Sequence, residues 1–316
     1  MDIIFMGSPE FSLPSLERLA SDEKINVDLV VTQPPRKTGR GQKKTVTPVE
    51  KKSAKLNLEV MSFQDVNSPE AFEVLSSRNP DFFVVVAFGQ ILKRKTLKIP
   101  SAAPVNLHAS LLPKYRGSSP IQHAVINGDK NSGVTTLIMD EDIDTGDILL
   151  KRKVPIDSED TAGSLHDRLA AEGADLLCET LKGYYQGEIE PSPQNESRAS
   201  YTPKLTREDG RLNFEKSAEE LVDFIRGMNP WPGAYTTFRN KRLKVWKAKS
   251  ASDLKISDDS GRPGTVIRAG SDDKLQVIAG RGVLQILSLQ PEGGQRMQAE
   301  DFINGYQPEP GELLGG

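Results

Sequence analysis

The sequence has little cysteine, no long apolar run and no excess of positive charge. Its single cysteine, Cys178, excludes a disulfide framework and most zinc sites. No apolar run reaches the roughly 18 residues of a membrane-spanning helix, and no targeting segment precedes the first predicted strand, which favours a cytoplasmic protein. The 41 Lys and Arg residues against 44 Asp and Glu residues give a formal net charge of −3. Any nucleic-acid partner is therefore expected to contact local basic patches.

The first predicted turn also lacks the glycines of a dinucleotide-binding loop. Residues 2–6 read as a buried strand, 13–22 as a helix and 27–32 as a second strand, which predicts a parallel α/β sheet. The turn between the first strand and the helix has Gly7 but no second or third glycine to let the backbone approach a pyrophosphate. Nicotinamide and flavin cofactors are therefore not expected.

The 316 residues are long enough for two domains, and the composition shifts between them. Residues 188–200 are rich in Pro, Ser, Asn and Gln, which is typical of a linker. Beyond residue 234, short strands alternate with turn signals, as in a small barrel of the oligonucleotide-binding type. The predicted fold is a Rossmann-like, mostly parallel α/β domain at 1–188, a linker at 189–205 and an OB-like β-barrel domain at 206–316.

Two polar residues stand at the end of a predicted buried strand. Asn106 and His108 are two positions apart, so on an extended strand they point to the same face, while Leu107 points to the other. Buried polar groups are costly unless they are paired or used, and ligands of open α/β sheets bind at strand ends. An imidazole can accept and return a proton, and an Asn amide can donate to the oxyanion of a tetrahedral intermediate.

A carboxylate would set the tautomer of that imidazole and favour its charged form. The acidic turn 140–147, after the predicted strand 133–139, offers one in Asp144. Asn, His and Asp without a nucleophilic Ser or Cys suggest direct acyl transfer to an amine. The sequence therefore predicts Asn106, His108 and Asp144 as catalytic residues.

These residues are similar to motifs of the 10-formyltetrahydrofolate-dependent formyltransferase family. The similarity rests on Asn106-x-His108, Ser110–Pro113, Arg116-Gly117 and Asp144-Thr145-Gly146, and it extends over nearly the whole chain. Within the family, 119–122 and 229–234 resemble the members that formylate the methionine carried by initiator tRNA. The resemblance implies 10-formyltetrahydrofolate as formyl donor, initiator methionyl-tRNA as acceptor, no metal and no membrane. A monomer is expected.

The resemblance also implies binding residues on three loops. It assigns the folate pocket to two segments after neighbouring strands: Phe88, Gly89, Gln90 and Ile91, and Ser110, Leu111, Leu112 and Pro113. It makes the basic stretch 32–44 a tRNA-binding loop, expected to have no regular structure. The residues expected to contact tRNA are Arg36, Lys37, Arg40, Lys43 and Lys44. The role of Arg116 is left open between a structural and a substrate-facing one.

Three other functions are compatible with the same residues. The acceptor amine of the transfer can instead belong to a purine ribotide or an amino sugar nucleotide. Water can replace the amine, which would make the protein a formyl hydrolase. A non-catalytic RNA-binding protein would retain the basic patches and leave Asn106, His108 and Asp144 without a task.

Overall fold

The computed structural model describes residues 1–38, 43–251, 261–269 and 274–315, and leaves out the side chains of residues 37, 38 and 43. The chain forms two compact units. The first contains residues 1–120, 131–155 and 166–202, and the second contains 121–130, 156–165 and 203–316. The border at residue 202 falls inside the predicted linker 189–205. Residues 121–130 and 156–165 belong to the second unit, whereas the predicted first domain had included them.

Strands and helices alternate along the first two thirds of the chain. The strands are β1 (Asp2–Gly7), β2 (Asn26–Thr32), β3 (Arg36–Thr38), β4 (Lys43–Thr45), β5 (Val60–Ser62), β6 (Phe82–Val86), β7 (Ala103–His108), β8 (Arg116–Gly117), β9 (Asn131–Ile138), β10 (Ile148–Pro155) and β11 (Tyr201–Thr202). The helices are α1 (Leu13–Ala20), α2 (Pro48–Lys55), α3 (Pro69–Ser77), α4 (Arg94–Leu97), α5 (Pro120–Ile126) and α6 (Ala162–Tyr185). Short 3₁₀ turns at Glu10–Ser12 and Glu196–Arg198 complete this part.

The main sheet of the first unit has the strand order β10-β9-β7-β6-β1-β2-β5 in the described part of the chain. Strands β5, β2, β1, β6 and β7 are parallel, and β9 and β10 add antiparallel strands at one edge. From β1 the chain builds outward to β5 on one side and from β6 to β10 on the other. Open α/β sheets bind ligands at the carboxyl ends of the strands, beside such a switch in direction. The predicted mostly parallel α/β fold is confirmed.

The core of the first unit explains why these runs are strands. Consecutive apolar residues in β1, β2 and β6 are buried on both faces, as expected for parallel strands covered by helices. One face packs Ile4, Leu29 and Phe83 against Leu75 of α3. Both α2 and α3 begin at a capping hydroxyl followed by a proline, since Thr47 and Ser68 accept from the amides of Glu50 and Ala71.

The basic stretch 32–44 contains regular structure, which the sequence interpretation had excluded. Strands β3 and β4 pair antiparallel, with Arg36 opposite Thr45 and Lys37 opposite Lys44. Glycine and proline mark turns, but they do not prevent the residues beside them from pairing. Arg36, Lys37, Lys43 and Lys44 therefore belong to a two-stranded ribbon, which is formed by β3 and β4 and is called the basic ribbon below.

In its described residues, the second unit contains an antiparallel, barrel-like sheet and two helices of eight or more residues. Its elements after residue 202 are a 3₁₀ turn at Glu208–Gly210, α7 (Ala218–Gly227), β12 (Tyr235–Phe238), β13 (Lys241–Ser250), β14 (Val266–Arg268), β15 (Leu275–Ile278), β16 (Val283–Pro291), β17 (Met297–Gln298) and α8 (Ala299–Tyr306). The described strands are ordered β12-β13-β16-β15-β14, and β17 pairs with β16. A reciprocal capping box between Ser217 and Glu220 begins α7. This sheet confirms the predicted OB-like class of the second domain.

In the ranges that the structure covers, no helix combines the length and the apolar character needed to cross a bilayer.

Candidate active site

Strand β7 carries Asn106 and His108 to the same side of the main sheet. It lies between β6, where Val85 is opposite Asn106, and β9, where Thr135 is opposite His108. The intervening Leu107 points to the other face, where its methyl groups approach Gly173 of α6 so closely that an added Cβ would lie 2.7 Å away. Alternation along the strand therefore separates a packing residue from two polar ones, as predicted.

Asp144 meets both polar residues through its carboxylate. Its Oδ1 lies 3.3 Å from Nδ2 of Asn106, and its Oδ2 lies 3.4 Å from Nδ1 of His108. The side chains of His108 and Asp144 are only 8% and 12% exposed. Both distances are long for hydrogen bonds, as is common where catalytic contacts tighten only when substrate binds. The amide, the imidazole and the carboxylate thus converge as the sequence predicted.

A shorter contact anchors the other ring nitrogen of His108. Its Nε2 lies 2.9 Å from the carbonyl oxygen of Tyr115. A carbonyl can only accept, so this contact places a proton on Nε2. The Nδ1 atom, which faces Asp144, is then the position at which the ring gains or loses its second proton. Burial and this anchor hold the ring in one orientation.

The turn that carries Asp144 must fold back along β7 to reach these groups. Because β9 runs antiparallel to β7, its end lies beside the start of β7, where the amide of Met139 donates to the carbonyl of Pro104 at 2.8 Å. His108 is four residues further along β7, roughly 13 Å away. The turn closes where the amide of Ile138 donates to the carbonyl of Asp147 at 2.9 Å. Asp144 itself is in the left-handed region, with φ +56°.

Each residue of the Asp144-Thr145-Gly146 motif has a separate physical task. The Thr145 hydroxyl contacts both carboxylate oxygens of Asp140, at 2.7 and 2.8 Å, which ties the start of the turn to its end. At Gly146, an added Cβ would lie 1.8 Å from the carbonyl oxygen of Ile138. Only glycine therefore permits the close backbone approach that returns the chain to β10.

We expect Gly146→Ala to displace this turn and lower turnover at the site by about 10²-fold, since a 1 Å misplacement can cost that much. The measurement is kcat together with the thermal unfolding midpoint. Gly305→Ala is the matched control, because an added Cβ in α8 meets nothing within 4 Å and alanine favours helix. Wild-type kcat in Gly146→Ala would contradict the account of the turn.

The predicted folate segment Ser110–Pro113 forms a well-anchored loop after β7. Ser110 and Leu112 are buried, and Thr135 joins them by donating its hydroxyl to the carbonyl of Ser110 at 2.7 Å and accepting from the amide of Leu112 at 3.2 Å. Lys151 donates its Nζ to the carbonyl of Leu112 at 2.5 Å, and burial lowers the pKa of this lysine. Leu111 is half-buried and packs towards Gly133. Pro113 lines a groove of about 390 Å³ beside β10.

The other predicted folate segment, Phe88–Ile91, follows β6, the neighbour of β7. Phe88 is buried in the core. The side chain of Gln90 already has protein partners, since it accepts from the amide of Val66 and donates to the carbonyl of Phe63. Gly89 has φ +84°, and Ile91 is 66% exposed. A ligand could therefore meet the backbone of this segment and the side chain of Ile91, and folate binding by either segment stays a prediction.

The predicted tRNA-binding residues are only partly described. Arg36 and Lys44 are exposed on the basic ribbon, and Nη2 of Arg36 donates to Oε1 of Gln33 at 2.8 Å. Arg40 lies outside the described residues, as do the side chains of Lys37 and Lys43. The basic ribbon belongs to the same unit as His108.

Gly117 and Gln194 also hold Asp144 in place, and sequence interpretation missed Gln194. The amide of Gly117 donates to Oδ2 of Asp144 at 2.8 Å, and Nε2 of Gln194 donates to the carbonyls of Asp144 and Gly146 at 2.7 and 2.8 Å. Gln194 lies in the segment interpreted as a linker because of its composition. Composition indicates a lack of periodic structure, but it does not indicate which side chains a non-periodic segment packs against.

The role of Arg116, left open by the sequence, is settled by its contacts. Its side chain is completely buried, and its guanidinium donates to Gln194, Glu196 and the hydroxyl of Tyr201. Arg116 is therefore a structural anchor. In the parts of the chain that the structure describes, no group of three or more His, Cys, Asp or Glu side chains is arranged to hold a metal ion; the expected metal-free reaction stays a prediction.

Comparison with known proteins gives matches over nearly the whole length. The formyl transferase model matches residues 1–181, and the model of the formyl transferase C-terminal domain matches residues 204–307. A methionyl-tRNA formyltransferase of Halothermothrix orenii is 46% identical over 316 residues, covering 100% of both chains. One from Citrifermentans bemidjiense is 43% identical over 315 residues, covering 100% of this chain and 96% of the relative.

A solved structure shows a similar fold at low identity. An N-formyltransferase from Helicobacter canadensis, in complex with folinic acid and dTDP-3-aminofucose, has a TM-score of 0.64 and 19% identity, and the match covers 93% of this chain and 99% of that chain.

Proposed function

Since this chain belongs to the formyl transferase family, we propose that it transfers the formyl group of 10-formyltetrahydrofolate to the α-amine of methionine on initiator tRNA. The observation that carries the chemistry is the convergence of Asn106, His108 and Asp144 at the end of β7. The choice of acceptor rests on full-length relatives that are named for it.

The three residues supply what direct formyl transfer requires. The amine nitrogen attacks the formyl carbon, which becomes tetrahedral and carries an oxyanion. Nδ2 of Asn106 donates to that oxyanion, and the Nδ1 side of His108 receives the proton that leaves the amine. Collapse breaks the bond between the carbon and N10 of the folate, which takes up the proton. Asp144 orients the ring and stabilises its charged form, so no covalent enzyme intermediate is needed.

The donor is proposed to lie between the two loops that follow β6 and β7. The Helicobacter canadensis relative binds folinic acid, a formylated folate. In this chain the exposed Ile91 and the backbone of Gly89 form one side, and the anchored loop 110–113 forms the other. Loop anchoring by Thr135 and Lys151 fixes the shape of this wall before the ligand arrives.

An RNA acceptor is supported by basic residues in both units and by the aromatic rings beside them in the second unit. In the first unit, the basic ribbon presents Arg36 and Lys44. In the second unit, Nζ of Lys244 and the guanidinium of Arg296 each lie 5.4 Å from the centroid of Trp246, and Arg242 stacks over Tyr235 at 3.5 Å. Cations beside aromatic rings are suited to phosphates and bases of nucleic acid. A monomeric state and a cytoplasmic location stay predictions.

The decisive experiment is incubation with 10-formyltetrahydrofolate and methionyl-tRNA, comparing initiator with elongator tRNA. We expect formylmethionine on the initiator species and far less on the elongator. Formylation of an amino sugar nucleotide or a purine ribotide in place of tRNA would overturn the acceptor. Formate released without an amine would indicate a hydrolase, and folate binding should be absent from a non-catalytic RNA-binding protein.

Removing Arg36 and Lys44, the two cations of the basic ribbon whose side chains the structure describes, tests the contribution of this segment to RNA binding. We expect the double variant Arg36→Ala/Lys44→Ala to raise KM for methionyl-tRNA and to lower the slope of log KM against log salt by about one per phosphate contact. Lys24→Ala/Lys98→Ala is the matched control, since it removes the same charge from exposed positions elsewhere in the first unit. Equal salt slopes in the two double variants would show that the ribbon does not contact phosphate.

A further inference from the structure

The segment from Ser192 to Thr202, here called the strap, wraps around the loop that follows β7. Its first residue pairs with β10 through two backbone hydrogen bonds between Ser192 and Ile148, at 2.8 and 2.9 Å. Its last two residues form β11, which pairs with β8 in parallel. Between them, Ser200 receives the amide of Arg116 on its carbonyl at 2.7 Å and the amide of Tyr115 on its hydroxyl at 2.9 Å.

The strap therefore holds the two backbone groups that orient His108 and Asp144. Tyr115 supplies the carbonyl that anchors Nε2 of His108, and Gly117 supplies the amide that donates to Asp144. Gly117 can take part only as a glycine, because it has φ +94° and an added Cβ would lie 2.8 Å from the carbonyl of Thr202. The backbone of loop 115–117 is thus enclosed between the strap and the site.

Arg116 joins the strap to the site from within the protein. Its buried guanidinium pairs with both carboxylate oxygens of Glu196, at 2.6 and 2.8 Å, and with Oε1 of Gln194, at 2.9 and 3.1 Å. The hydrogen bonds from Arg116 hold the pKa of Glu196 below its ordinary value, so the pair stays charged at neutral pH. Bidentate pairing of this kind fixes direction as well as distance.

Gln194 connects Arg116 to the turn that carries Asp144. Its Oε1 is occupied by Arg116, which leaves Nε2 to point the other way, and both amide hydrogens are used on the carbonyls of Asp144 and Gly146. The turn 140–147 is otherwise exposed over residues 140–143. Gln194 is half-buried, whereas its neighbours in the strap, Pro193 and Asn195, are exposed.

We propose that Gln194 is a positioning residue of the transfer reaction, which holds the catalytic aspartate in place through the backbone carbonyls of Asp144 and Gly146. The inference deepens the proposed function and rests on it for its kinetic consequence. Only an amide can perform this role, since one end must accept from Arg116 while the other donates twice.

Gln194→Glu tests the role with the smallest change. The glutamate still accepts from Arg116, but it puts an oxygen in place of the two donors. We expect kcat to fall about 10–100-fold, because misplacement of a catalytic group by a fraction of an ångström to 1 Å costs that much, with KM for both substrates within twofold. Hydrogen–deuterium exchange of a peptide that covers residues 140–147 should become faster.

Two further variants separate positioning from charge and from general loosening. Gln194→Met has similar length, offers no donor and only a weak acceptor, and should show the same loss of kcat without an added charge. Asn195→Ala is the control in the same strap, because among the described residues its side chain accepts from Ser197 and from no other residue. It should leave kcat and the exchange of 140–147 unchanged.

The outcomes distinguish this inference from the proposed function. A kcat within twofold of wild type in both Gln194 variants, or unchanged exchange of residues 140–147, overturns the positioning role. If the wild-type protein formylates no amine, the proposed function fails, and the exchange experiment still decides whether Gln194 holds the turn: faster exchange supports it and unchanged exchange refutes it.

Discussion

Replacing His108 with glutamine is expected to lower kcat by about 10²–10⁴-fold, the range that positioned proton transfer contributes. Glutamine can still donate to the carbonyl of Tyr115, so the loop should keep its place, but it cannot take a proton on the side that faces Asp144. The measurement is the single-turnover rate with saturating 10-formyltetrahydrofolate and methionyl-tRNA. An unchanged unfolding midpoint would show that the loss is chemical.

The control for this variant is a second histidine in the same unit. His166→Gln removes a ring that packs against Phe11 at 5.3 Å and contacts Asp167, and it has no part in the site. We expect its rate to stay within about threefold of wild type. A His108→Gln enzyme with a similarly small loss would show that the proton leaves by another route.

Asn106→Ala is expected to lower kcat by about 10²–10³-fold, the cost of losing one oxyanion donor. In the wild-type protein, Nδ2 of Asn106 is available to the oxyanion because its contact with Asp144 is long, at 3.3 Å. A developing oxyanion is also a stronger acceptor than a neutral carbonyl. Because the interaction forms only in the transition state, KM should change little. Steady-state kinetics for both substrates would measure this separation.

An asparagine at the other end of the same sheet is the matched control for Asn106. Asn26 begins β2 and donates to the carboxylate of Asp2 at 2.8 Å, at the amino ends of the strands. Asn26→Ala should affect stability slightly and kcat not at all. If Asn106→Ala raised KM instead of lowering kcat, Asn106 would be a ground-state binding residue and the oxyanion would need another donor.

Local pattern was sufficient for the apolar strands of the main sheet and for the shared face of Asn106 and His108. The period of two along β7 predicted that Asn106 and His108 share a face and that Leu107 packs behind them, because strand geometry alone decides this. Apolar runs predicted the buried parallel strands β1 and β2. The three-residue catalytic set came from the chemistry of the residue types and from a family resemblance.

The reach of Asp144, the tasks of Arg116 and Gln194, and the pairing of the basic ribbon were decided by tertiary structure. Asp144 is 36 positions beyond His108, and its approach depends on a turn that folds back along β7. Gln194 approaches from 50 positions beyond Asp144, in a segment whose composition indicates only that it is not periodic. Spacing along the chain constrains such contacts weakly, since loop-closure entropy changes little with loop length, and the partners are chosen by which buried groups still need a hydrogen bond.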